Sequence, residues 1–370
     1  MRPEPLRIVQ ALAGLSVGGS ELVVTELAEF LGGAGHQVTV VGADGALGPR
    51  VRASGAALLD WPVGRKRLAT LRYMGRLAAW LAEHQTHIVH AHSRLPAWVC
   101  WLAIRRLPPA SRPAFVTSMH GQYTISPYSA VMARGDRVIA VSEHIRAYTL
   151  ASYRFVDPDR LTVIHGGTSR ATFPHGYRPQ PEWYEAVWRE FPELKGKRIL
   201  LLPGRLSRYK GHAVFLELLR MLAADYPDIH GVIAGQSRPG SRYHAELEGL
   251  AHRNQVLNRL SFTGLRDDIR EWMAASAIVY NLCSDPPEAF GRIVPEALHL
   301  GVPVIGWDHG GVHETLRVMF PAGAVRPDSL SALVARTRAF LDEPPRVPAS
   351  EAFLLETSMQ KTLMLYQGLL

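Results

Sequence analysis

A pattern of short apolar runs alternating with amphipathic stretches passes through this chain twice, and few folds accommodate it. Leu6 to Leu12 is an apolar run short enough for a buried strand. After the loop Gly14 to Ser20, Leu22, Leu27, Phe30 and Leu31 recur at helical spacing, with Ser20 as the expected N-cap and Gly32, Gly33 and Gly35 as the stop. Gln37 to Val41 reads as the next strand and completes a βαβ unit. Ile88 to Ala91, Phe115 to Met119, Val138 to Val141 and Leu161 to Ile164 continue the alternation expected of a parallel sheet wrapped by helices. The pattern restarts at Arg198 to Leu202, with a helix over Gly211 to Ala223 and strands at Gly231 to Ala234, Leu260 to Phe262, Ala277 to Tyr280 and Val302 to Gly306.

With 370 residues the chain exceeds the ~250–300 at which a single core stops growing. The two passes are therefore assigned to two domains, 1–173 and 174–354. Pro174 to Lys197, rich in Pro, Trp and charge, is the expected connection and carries a short helix around Trp183 to Phe191. The fold class that follows is α/β, with two doubly wound Rossmann-like domains facing across a cleft and ligands at the carboxyl ends of their strands.

Composition narrows the classes. A content of 47% hydrophobic and 20% charged residues excludes disorder as the main state. Two cysteines, Cys100 and Cys283, cannot build a disulfide framework or a Cys-rich metal site, and no opening segment reads as a signal peptide, so a reducing cytoplasm is the expected location. No window supplies the ~18 apolar residues that span a bilayer, which limits membrane contact to the periphery. The net charge of +8 is uneven: Met1 to Phe173 holds 19 basic and 11 acidic residues, and the remainder 22 of each. The first half is expected to meet an anionic partner.

Three segments carry chemistry. Glu288 and Glu296 are separated by seven residues, the last of them Pro295, which has no amide to donate, so a helix is expected to begin just before it with Glu288 at its mouth and Glu296 inside. One carboxylate can accept from sugar hydroxyls and the other from ribose hydroxyls, while the amides of Phe290, Gly291 and Arg292 face a diphosphate between them. Pro203 to Gly211 lies between a strand and a helix, where Arg205 and Lys210 can stabilise a departing nucleoside diphosphate without a metal. Gly18 and Gly19, at a helix start in the first half, can approach phosphates with their backbone. His87, His90 and His92 invite a metal assignment, but no nearby carboxylate or Cys completes a site. Arg65, Lys66, Arg67, Arg72 and Arg76, with Leu68, Leu71 and Trp80, form a basic amphipathic surface suited to an anionic membrane or acceptor.

In this order the segments resemble retaining glycosyltransferases of the GT-B fold, in glycosyltransferase family 4. The resemblance rests on Gly18-Gly19-Ser20-Glu21, Thr117 to Gly121, Arg137 to Glu143, Gly204-Arg205 with Lys210-Gly211, Glu288 to Glu296, and Gly301 to Ile305 followed by Gly310, Gly311 and Glu314, and it spans almost the whole chain. It implies that Arg205 and Lys210 bind the donor diphosphate, Glu288 the donor sugar and Glu296 the ribose, and that His120 stands beside the anomeric centre. It also implies retention of anomeric configuration, no metal and no cofactor beyond the nucleotide-sugar substrate, with a UDP-sugar favoured over a GDP-sugar. The last helix, 355–370, is expected to return to the first domain. One departure is His165-Gly166-Gly167-Thr168, where the family commonly has Asn-Gly.

The expected activity is transfer of a hexose-type unit to a cell-envelope glycolipid or oligosaccharide, with lipopolysaccharide core as one acceptor, at the inner face of the cytoplasmic membrane. The competing readings are a nucleotide-sugar epimerase or phosphorylase on a similar fold, and a non-enzymatic basic protein that binds lipid or nucleic acid. The concentration of phosphate chemistry in the electrically neutral half argues against a nucleic-acid partner. Gly14 to Ser20 lacks the dinucleotide fingerprint of a dehydrogenase.

Overall fold

The structure, a computed structural model, describes residues 4–16, 18–237 and 240–370. Val17, in the loop expected over Gly14 to Ser20, lies outside the described residues, as do Arg238 and Pro239. By internal contacts the chain divides into two compact units, one comprising Met1–Gly166 with Leu355–Leu370 and the other Gly167–Leu354.

The first unit runs β1 (Arg7–Gly14), α1 (Gly19–Gly33), β2 (Gln37–Ala43), α2 (Gly48–Ala53), β3 (Ala57–Asp60), α3 (Arg72–Glu83), β4 (Ile88–Ala91), α4 (Arg94–Ile104), β5 (Ala114–Met119), β6 (Arg137–Ala140), α5 (Glu143–Ser152) and β7 (Leu161–Val163). Its seven strands order as β3-β2-β1-β4-β5-β6-β7, all parallel. The order reverses beside β1, where β1 pairs with β4 through Gln10 opposite His90 and Ala11 opposite Ala91, so the loops after these strands diverge and leave a crevice at their carboxyl ends.

The second unit runs α6 (Pro181–Glu190), β8 (Arg198–Pro203), α7 (His212–Leu222), β9 (Ile229–Ala234), α8 (Tyr243–Arg253), β10 (Leu260–Phe262), α9 (Ile269–Ala274), β11 (Ser276–Asn281), α10 (Ile293–His299), β12 (Val304–Trp307), α11 (Gly310–Met319), β13 (Ala324–Val325) and α12 (Leu330–Asp342). Its parallel sheet orders as β10-β9-β8-β11-β12-β13 and reverses between β8 and β11. The final helix, α13 (Leu355–Gln367), belongs to the first unit: its Met359, Leu363 and Tyr366 share an apolar cluster with Val24, Leu27, Ala28 and Leu31 of α1.

Fully buried β-strands such as Leu200 to Leu202 and Ile278 to Tyr280 carry apolar side chains on both faces, as a sheet covered on both sides requires. One local expectation fails. Gly18, not Ser20, is the N-cap of α1. The helix begins one residue after Gly18, which leaves Ser20 inside the first turn, where its hydroxyl donates to Glu21 Oε2 at 2.7 Å.

Candidate active site

In the second unit the segments singled out from sequence converge at the carboxyl ends of β8 and β11, the point where strand order reverses. After β8 the chain turns through Gly204 and Arg205 and a short 3-10 turn, Arg208–Lys210, before α7. Gly211 has φ 80°, and a Cβ there would lie 2.3 Å from the carbonyl oxygen of Leu282, so a residue without a side chain lets this loop pack on the end of β11. The Ser284 amide donates to Tyr209 O at 2.8 Å and ties the two loops together.

The consequence is an ion pair between Lys210 Nζ and Glu288 Oε1, each side chain about one-fifth exposed. Burial works against the ammonium, but the Glu288 carboxylate outweighs it and the Lys210 pKa ends above its ordinary value. The same burial pushes the neighbouring Cys283 thiol up to about 12, leaving it protonated. Arg205 is exposed and has no ion-pair partner among the described residues.

Glu288 is held by its backbone. Its carbonyl accepts from the Gly311 amide at 2.9 Å, and a Cβ at Gly311 would meet Ala289 O and Phe290 Cα at 2.4 Å, so the loop lies directly on the first turn of α11. Phe290 is buried against Phe353, with ring centroids 5.7 Å apart. Gly291 takes the left-handed conformation at φ 81° and α10 starts two residues later, which puts Pro295 in its first turn and Glu296 on the helix, buried, with Arg292 Nε at 3.3 Å.

In the first unit, Gly18 and Gly19 open α1 after β1. His120 directly follows β5, and its Nε2 lies 3.1 Å from His92 Nδ1, one imidazole donating to the other. His90, in β4, contacts the Tyr366 hydroxyl at 2.6 Å through Nδ1 and Ser118 Oγ at 2.7 Å through Nε2. Burial lowers the pKa of all three imidazoles, to about 3 for His90, to about 4 for His120 and well below the ordinary value for His92, so the cluster is neutral at pH 7. His87 does not join them. It precedes β4, at the opposite end of the strand, against Arg7. The sequence marks His90 and His92 as a same-face pair; it carries no signal for Ser118 or Tyr366 as their partners.

The basic segment separates into parts. Arg65 and Arg67 are exposed beside Leu68 and Leu71, which are 86% and 56% exposed. Arg72 lies over Tyr73 and Arg76 over Trp61, while Lys66 turns to the ring of Tyr128 at 5.5 Å. The buried stripe of α3 is Tyr73, Met74, Leu77, Ala78 and Leu81, so Leu68 and Leu71 are not part of the packed face.

Two units of this topology, each with its candidate side chains at the strand-order reversal, are the architecture of the GT-B class. Comparison with known proteins agrees: residues 17–171 match the model described as Glycosyltransferase Family 4, and residues 185–352 match that of Glycosyl transferases group 1. The chain belongs to glycosyltransferase family 4.

Among curated proteins it is 24% identical over 308 residues to the D-inositol 3-phosphate glycosyltransferase of Streptomyces coelicolor, covering 74% of this chain and 66% of that one. It is also 24% identical over 257 residues to the lipopolysaccharide core biosynthesis mannosyltransferase LpsB of Rhizobium meliloti, covering 65% and 68%. The matches thus span about two thirds of these relatives' length. Among solved structures, a glycosyltransferase from Rickettsia africae superposes with a TM-score of 0.85 at 23% identity, over 99% of both chains. Anabaena HepE, in complex with UDP and glucose, superposes with a TM-score of 0.80 at 20% identity, over 98% of this chain and 100% of that one. WaaG, a glycosyltransferase involved in lipopolysaccharide biosynthesis, gives 0.70 at 16% identity, over 98% and 100%.

Proposed function

We propose that the chain is a retaining, metal-independent glycosyltransferase that moves a hexose-type unit from a nucleotide-sugar to a glycolipid or oligosaccharide of the cell envelope. The observation that carries this reading is the Lys210–Glu288 pair at the reversal between β8 and β11, with Arg205 on the same loop. A cation for phosphate and a carboxylate for hydroxyls, held side by side, suit the two halves of a sugar diphosphate.

In the proposed reaction Arg205 and Lys210 take the charge that collects on the leaving diphosphate, Glu288 accepts from hydroxyls of the transferred sugar, and Glu296 accepts from the ribose. The bond from the anomeric carbon to the phosphate oxygen breaks, and the acceptor oxygen bonds to the same face. The acceptor proton passes to the leaving phosphate, giving a glycoside and a nucleoside diphosphate. His120, neutral at pH 7, supplies a hydrogen bond rather than a formal charge.

The finer substrate assignment draws on the relatives. HepE was solved with UDP and glucose, which favours a UDP-sugar, and LpsB and WaaG bear on lipopolysaccharide, which favours a core-type acceptor. The exposed Arg65, Arg67, Leu68 and Leu71 support attachment to an anionic membrane face; among the described residues no helix is long and apolar enough to cross a membrane.

A thermal-shift screen of nucleoside diphosphates and their sugars tests the donor, because a ligand that binds the native state raises its melting temperature. Stabilisation by UDP and UDP-sugars that is lost in Lys210→Ala is the expected result. Stabilisation by none of the nucleotides would remove the reading, and conversion of the donor without any acceptor would mark an epimerase instead.

A further inference from the structure

Arg94 opens α4 just after β4, at the end of the first sheet that carries His92 and His120. Its guanidinium lies over two aromatic rings, 5.1 Å from the centroid of Tyr123 and 5.4 Å from that of Tyr128. Its hydrogen bond to protein runs from Nη1 to Ser129 Oγ at 3.3 Å, which leaves most of its five donors unused. Lys66 lies over the same Tyr128 ring at 5.5 Å, so two cations converge on one aromatic side chain.

Neither cation has an ion-pair partner among the described residues, whereas Arg50 and Arg52 of the same unit are paired with Glu29 and Asp44. Glu21, in the first turn of α1, receives the hydroxyl of Ser20 and forms no ion pair with Arg94 among the described residues. An aromatic clamp fixes a guanidinium in position without neutralising it, and two unneutralised cations held on one ring repel each other until an anion joins them. Tyr123 lies three residues beyond His120, on the chain segment that leaves β5.

We propose that Arg94 and Lys66 bind a phosphate group carried by the sugar acceptor, so that the second substrate of this enzyme is anionic. The inference rests on the glycosyltransferase reading above and names the chemical class of its acceptor. A planar guanidinium can bond two phosphate oxygens at once, while the ammonium adds a point charge. A neutral glycan would leave both cations unpaired.

The test is calorimetry on the full chain saturated with UDP, so that phosphate-binding groups of the second unit are already occupied, titrated with inorganic phosphate, mannose 6-phosphate and mannose. The two phosphates bind the wild type and mannose does not; Arg94→Gln and Lys66→Gln each weaken mannose 6-phosphate at least about tenfold, as loss of a charge-assisted hydrogen bond requires. Both variants keep the wild-type thermal shift with UDP, which shows that they fold. Equal phosphate binding by wild type and Arg94→Gln, or none by the wild type, overturns the proposal while the UDP shift leaves the donor reading standing. A wild type that UDP does not stabilise removes the donor reading itself. Pelleting with phosphatidylglycerol vesicles separates the remaining source of phosphate: Arg94→Gln pellets like wild type if the ligand is the acceptor, and reduced pelleting with unchanged mannose 6-phosphate binding assigns the cations to lipid headgroups and overturns the proposal.

Discussion

His92 Nδ1 stands 3.1 Å from His120 Nε2, and burial keeps both rings neutral at pH 7, so one imidazole fixes the tautomer of the other. This arrangement sets a pH dependence. Burial holds the folded pKa of His120 at about 4 and of His90 at about 3, below the ordinary 6.5, so the unfolded chain binds more protons between these values. Stability is therefore complete above pH 6.5 and is lost as pH falls through the window, by about 1.4 kcal/mol per pH unit for each histidine while it lasts. Urea titrations from pH 4 to 8 should show this slope, and it should shrink in His90→Gln. A slope unchanged by that substitution would place the titration elsewhere.

Lys210→Ala should lower kcat by about 100-fold or more, because a cation aimed at the developing charge acts chiefly in the transition state. The melting temperature should move by only a few degrees, since the partner Glu288 retains access to water. Steady-state kinetics beside a thermal melt separate the two effects, and normal turnover in the folded variant would dismiss the phosphate role.

If Arg205 and Lys210 supply the positive charge at the leaving group, transfer should continue in excess chelator. Complete loss of activity that a divalent ion restores would mean that a metal carries part of that charge.

Gly211→Ala joins two penalties, a left-handed backbone and a Cβ 2.3 Å from Leu282 O, and should destabilise by about 1–3 kcal/mol while lowering activity. Gly75→Ala, at the fourth residue of α3 with nothing within 4 Å of the added carbon, should instead stabilise by up to about 1 kcal/mol. Denaturant midpoints of the two variants provide the comparison.

These glycines show what the sequence reveals and what it conceals. Strands such as Ile88 to Ala91 and Leu260 to Phe262 were legible to the residue because each is a short, mostly apolar stretch of strand length bounded by polar segments. The edge strands β3 and β13 were not: the first is only half-buried and the second has two residues, so neither has a pattern to read. In the site, local order identified Lys210 and Glu288 separately as binding candidates. Their ion pair joins positions 78 residues apart and depends on how tightly the Gly211 loop packs, which composition does not express. The His90–Tyr366 contact spans 276 residues, and nothing in the spacing of either segment points to the other. The clamp on Arg94 was missed for a similar reason, since its rings come from a loop with no periodicity.

The last expectation concerns the membrane face. Arg65 and Arg67 precede a short turn whose Leu68 and Leu71 are largely exposed, while Arg72 and Arg76 are already engaged with Tyr73 and Trp61. The first pair should therefore dominate electrostatic attachment, at ~1 kcal/mol for each cation close to an anionic surface, screened over about 8 Å in physiological salt. The leucines should add a salt-independent part by entering the interface. Arg65→Gln with Arg67→Gln should weaken pelleting on anionic vesicles about tenfold or more at low salt and much less at high salt, whereas Leu68→Ser should weaken it at both. Neutral vesicles should retain only the leucine-dependent fraction. Pelleting of the wild type that is insensitive to both salt and these substitutions would move the attachment away from this turn and leave the excess charge of the first half to its soluble ligands.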